Sequence, residues 1–64
     1  MLEKYTNDYI LNIIENQHYK THTMLSSLLT VQDDIGYLPK NSINVVADFM
    51  NVSTNDVWGV ASFY

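Results

Sequence analysis

The chain has no cysteine and no arginine, and across its 64 residues it has one proline and two glycines. Without cysteine there can be no disulfide framework, and the tetrahedral zinc staples that rely on thiolates lose their main ligands. The lack of disulfides suits a cytosolic setting better than a secreted mini-protein. Three lysines against seven acids leave a net charge of −4. That balance opposes binding to phosphate backbones and anionic membranes, whose affinity comes from Lys and Arg, and it suits a basic protein partner. No apolar run approaches the roughly 20 residues of a membrane span. The start, Met1-Leu2-Glu3-Lys4-Tyr5, lacks the basic and apolar regions of a signal peptide. The expectation is a cytoplasmic protein with no nucleic-acid partner and no direct membrane insertion.

What is present is ordinary for a folded chain: 47% hydrophobic and 16% charged residues. At this length a domain buries only about 60% of its unfolded surface, so the core must be thin. The apolar spacing predicts an all-α bundle of four short helices, over about 3–17, 22–35, 40–50 and 54–64. In the first, Leu2, Tyr5, Tyr9, Ile10, Ile13 and Ile14 recur at three and four. Thr6-Asn7-Asp8 competes with helical hydrogen bonding, so that helix can begin as late as Asn7. In the second, Thr21 and Thr23 are candidate N-caps, and Leu25, Leu28, Leu29, Gln32 and Ile35 share the predicted buried face. Gly36 is placed to stop it in a left-handed conformation, and Pro39 to open the third helix.

The third helix carries Ile43, Val46, Ala47 and Met50 on one face, with Asn51 as a left-handed cap. Ser53 is the predicted N-cap of the fourth, with Asp56 three residues on and a staple between Val52 and Val57. Val57, Val60, Ala61 and Tyr64 continue its buried face. The sequence ends on Phe63-Tyr64 inside an apolar helical run, which reads as a junction to a further segment.

No catalytic constellation emerges. Asp33 and Asp34 are adjacent, point about 100° apart on a helix, and read as a solvated face. His18 and His22 lie four apart with a predicted connection between them, so structural or exposed roles are favoured over metal ligation. The serines have no base and orienter near them in sequence. Gln32 is read first as a buried amide serving the Gly36–Pro39 turn, and second as a partner contact. Trp58 lies off the buried stripe. It either closes a thin core or anchors another protein. The segment Val46–Phe63 imitates a helix-turn-helix DNA reader, with Ala47 in the first helix and Val57 in the second, but no basic residue comes after Lys40.

The order Leu25-Ser26-Ser27-Leu28-Leu29-Thr30-Val31-Gln32-Asp33-Asp34-Ile35-Gly36-Tyr37-Leu38-Pro39 is succeeded by Val46-Ala47, Val52-Ser53 and Val57-x-Gly59-Val60-Ala61-Ser62-Phe63-Tyr64. Over residues 24–64 this resembles the opening of the small thioredoxin-like [2Fe–2S] subunit of NADH dehydrogenase (respiratory complex I), a family with relatives in NAD-linked hydrogenases and formate dehydrogenases. The resemblance implies an N-terminal helical domain followed by a cluster-binding domain whose four cysteines come after the Phe-Tyr block. It implies no catalytic, cofactor-binding or metal-ligating residue in this chain, with the [2Fe–2S] cluster expected in the downstream domain absent here. The implied partners are that domain and an NADH-oxidising flavoprotein. The residues expected at the contact are Trp58, Phe63 and Tyr64, with Tyr37 beside them. The alternatives are a helix-turn-helix-like DNA-binding module and a free-standing adaptor.

Overall fold

A computed structural model describes residues 4–63. Four helices succeed one another: α1 (Asn7–Glu15), α2 (Met24–Ile35), α3 (Ser42–Met50) and α4 (Thr54–Ala61). Among the described residues there is no strand. The helices α2 and α3 pack together at the centre. Both receive α1 and both receive α4, whereas α1 and α4 do not pack on each other.

Each boundary has a local cause. Thr6 Oγ1 accepts from the Tyr9 amide at 3.1 Å, so α1 starts at Asn7. The weak Thr6-Asn7-Asp8 stretch is thus the helix entrance, and the start at residue 3 is overruled in favour of the later one. Thr23, not Thr21, caps α2: its hydroxyl accepts from the Ser26 amide at 3.0 Å, and Ser26 Oγ accepts from the Thr23 amide at 2.9 Å. This is a capping box with serine in place of the usual glutamate. Gly36 ends α2 at φ +100°, its amide donating to Gln32 O at 2.7 Å. Asn51 ends α3 at φ 57°. Ser53 Oγ accepts from the Asp56 amide at 3.2 Å and starts α4. That helix ends at Ala61 with Ser62 as its C-cap, so Phe63 lies in the turn beyond it and not in a helix running to residue 64.

The core consists of Ile10 and Ile14 from α1, Leu28 and Val31 from α2, Ile43, Val45, Val46 and Ala47 from α3, and Val57 from α4. Two predicted faces are rotated. Leu25 is 49% exposed, and Gln32 is exposed, so the buried side of α2 runs through Ser27, Leu28 and Val31. Tyr9 is likewise exposed, and Leu11 packs against the core where the predicted stripe omitted it. In α3 the buried side is wider than predicted, because Val45 joins it. Leu2 and Tyr64, both assigned to buried faces from the sequence, lie outside the described residues.

Polar side chains bind the segments together. Gln17, just past α1, accepts from Ser26 Oγ at 2.7 Å through Oε1. Its Nε2 donates to Ile14 O at 2.9 Å. Asn41, before α3, donates through Nδ2 to Tyr5 O at 2.9 Å and to Asn7 Oδ1 at 2.8 Å, fastening the entrance of α1 across 34 and 36 residues of chain. Beside it, Ser42 Oγ is buried without a hydrogen-bond partner, as is Asn41 Oδ1.

Removing the α4 cap with Ser53→Ala should cost about 1 kcal/mol. In a domain this small, that lowers the melting temperature by roughly 4–8 °C. An unchanged thermal melt would contradict the capping role. The neighbours Asn41 and Ser42 should behave oppositely. Asn41→Ala loses two hydrogen bonds and leaves Tyr5 O and Asn7 Oδ1 with one partner fewer, a loss of about 1–2 kcal/mol. Ser42→Ala removes an unpaired buried hydroxyl and should be neutral or stabilising. Denaturant midpoints of the two variants provide the check, and equal destabilisation would refute the assignment.

Candidate docking surface

The α4 helix is short and has a single buried residue, Val57. Val60 and Ala61, one turn on, are partly buried against the core. This fixes the rotation of the helix. With Val57 pointing inward, its neighbour Trp58 is turned about 100° away. Trp58 is 52% exposed, and Phe63, beyond the helix end, is 92% exposed. The backbone that carries them is well satisfied: Ser62 N donates to Trp58 O at 2.9 Å, Phe63 N donates to Val60 O at 3.2 Å, and Ser62 Oγ donates to Gly59 O at 3.0 Å. The exposed aromatics therefore sit on a hydrogen-bonded helix end. About half of the Trp58 surface is thus open to solvent. Tyr64, the remaining member of the predicted edge, falls outside the described residues.

Tyr37 belongs to a different cluster. Its ring meets Tyr5 edge-on at 6.2 Å, and Tyr5 in turn meets Tyr9 at 5.4 Å. Lys4 Nζ lies 5.5 Å from the Tyr5 centroid. Tyr37 is itself 48% exposed, but among the described residues its ring contact runs to the entrance of α1 and not to Trp58 or Phe63. Tyr37 thus belongs, by its ring contact, with Tyr5 and Tyr9. The sequence carries a signal for the tyrosine group: Tyr5 and Tyr9 are four residues apart, and Tyr37 sits in the Gly36–Pro39 turn that leads back toward Asn41.

The remaining candidates resolve in the same way. The hydroxyl of Ser26 accepts from the Thr23 amide in the α2 cap and donates to Gln17, and that of Ser53 accepts in the α4 cap. The His22 and Phe49 rings meet at a tilt with their centroids 5.7 Å apart, which gives the histidine a packing contact. His18 lines a groove with Tyr19, Thr30, Asp33 and Asp34. Among the described residues no three His, Asp or Glu side chains gather as a metal-binding group, and no helix is long and apolar enough to cross a membrane. A [2Fe–2S] cluster requires four ligands drawn from cysteine, or cysteine with histidine. A chain without cysteine does not fit that requirement.

The α3–α4 pair turns tightly through Asn51, Val52 and Ser53, as a helix-turn-helix does. Its outer residues, Thr54, Asn55, Trp58, Gly59 and Ser62, are exposed and include no lysine.

No solved structure matches the chain. The family model described as thioredoxin-like [2Fe–2S] ferredoxin matches residues 10–64, which takes in all of α2, α3 and α4 and most of α1. The chain belongs to the thioredoxin-like [2Fe–2S] ferredoxin family.

Proposed function

We propose that this chain is a non-catalytic N-terminal helical domain of an NADH-dehydrogenase-type electron-transfer subunit, working through protein contacts alone. Membership of a [2Fe–2S] family supports the electron-transfer setting. With no thiolate in these residues, the cluster is left to a domain beyond them. One observation carries the reading of these residues themselves: Trp58 in α4 and Phe63 just beyond the helix are both exposed. Burying large aromatics is worth more than burying any other side chains, and tryptophan is the residue most enriched at interface hot spots. The α4 edge packs against the cluster-binding domain of the same subunit or against the flavoprotein that oxidises NADH. Its task is to hold the two redox centres in register while taking no electron itself. The compartment proposed is the cytoplasm.

Trp58 is the only tryptophan, so its fluorescence reports this edge directly. Adding the family's cluster-binding domain, and separately the NADH-oxidising flavoprotein, should shift its emission to the blue in at least one case. Trp58→Ala should weaken that complex by about 2 kcal/mol, roughly thirtyfold. Because Trp58 is half-exposed, the same variant should melt close to the parent chain. Emission and chemical shifts that stay fixed with both partners would end the docking proposal.

A further inference from the structure

The groove between α1 and α3 plays no part in the docking edge on α4. Asn7, Asp8 and Leu11 line one side and Val45, Asp48 and Phe49 the other, around about 310 Å³. Its floor is apolar: Val45 is buried, and Leu11 and Phe49 pack against the core while keeping part of their surface open. Asp8 and Asp48 are exposed, one on each helix, and no lysine lines the groove. Neither carboxylate has an ion pair or hydrogen-bond partner for its side chain among the described residues.

The two acids are not equivalent. Asp8 occupies the first turn of α1, where a carboxylate favours the positive helix end. Asp48 occupies the last turn of α3, which carries no basic residue. There it faces the partial negative charge of the free carbonyls. Asp33 and Asp34 hold the same kind of position in the last turn of α2, so Asp48 is distinguished not by its place on the helix but by facing a second carboxylate across a groove lined by Leu11, Val45 and Phe49.

The geometry points to a site for a lysine or arginine side chain presented by a partner polypeptide. The methylene stem would lie on Leu11, Val45 and Phe49, and the charged head would sit between Asp8 and Asp48. A bare divalent cation would leave the apolar floor unused and would find only two carboxylates where six or more oxygens are wanted. A neutral apolar side chain would leave both acids facing it unpaired. The site stands whether or not the α4 edge docks anything.

The probe is trilysine amide, with N-acetyl-triglycine amide as the neutral control, titrated into the isotopically labelled chain. Saturable amide shifts are expected at Asp8, Leu11, Asp48 and Phe49 with trilysine alone, and they should weaken when salt is raised from about 20 to about 200 mM. Asp48→Asn should weaken trilysine about three- to fivefold. The double variant Asp33→Asn/Asp34→Asn removes twice the charge from a different groove and should leave the affinity unchanged. If it weakens binding as much as Asp48→Asn does, or if saturable shifts do not appear in the α1–α3 groove, the attraction belongs to net charge alone and the site is overturned.

Discussion

Val57 is the one side chain of α4 fully withdrawn from water, and the exposed half of the molecule is arranged by that fact. Burying a valine contributes roughly 1.5–3 kcal/mol, a large share of what a domain this small has in total. The helix cannot rotate to cover Trp58 without bringing Val57 out. It has no second fully buried residue to exchange for it. Val52 before the cap and Val60 and Ala61 after Val57 lie against the same core, so three partial contacts flank the one complete contact and define a single seating. The half-exposure of Trp58 is thus a consequence of register: with the inward position at 57, position 58 is turned about 100° to the side of the helix.

A thin core is held in register by polar ties that take the place of covalent ones. Gln17 joins the end of α1 to the start of α2, and Asn41 joins the start of α3 to the entrance of α1. Both are amides, with more than one polar hydrogen or lone pair to offer: Gln17 donates and accepts, whereas Asn41 makes both of its bonds through Nδ2. Both lie in connections and not within helices. Each uses backbone or cap groups that would otherwise face a desolvated surface, where an unmade hydrogen bond is expensive. The Asn41 tie also holds Tyr5, and with it the tyrosine group that includes Tyr37.

The legible part of the sequence was its punctuation. Thr23, Gly36, Asn51 and Ser53 act through hydrogen bonds and dihedral preferences within four residues of themselves, and all four do what their residue types dictate. The hydrophobic faces are less legible, because every helix packs on at least two others. Helix α2 packs on α1, α3 and α4 together, so its buried surface is decided by three partners, and Ser26 and Ser27 are enclosed while Leu25 is half-exposed. Small hydroxyl residues allow close approach of those neighbours and are satisfied locally, Ser26 by the cap and Gln17. A rule that ranks residues by hydrophobicity alone inverts that order. The same limit applies to the docking surface. Trp58 and Phe63 are close in sequence, whereas the contact of Tyr37 with Tyr5 joins residues 32 apart, which local spacing does not reveal.

The distribution of charge and apolar surface gives the two open regions different chemistries. The α4 edge presents Trp58 and Phe63 with Asp56 back in the first turn, where that acid is absorbed by the helix N-terminus. A partner there meets mainly aromatic surface, and its gain is desolvation, which is insensitive to salt. The α1–α3 groove presents two carboxylates above an apolar floor, so a partner there gains only if it brings positive charge, and that gain is screened by salt. One partner can satisfy both regions only by matching an apolar patch and a cation at a fixed separation on a rigid bundle. Such a requirement discriminates more sharply than either contact alone, because a protein offering the patch without the cation leaves Asp8 and Asp48 unpaired at the interface.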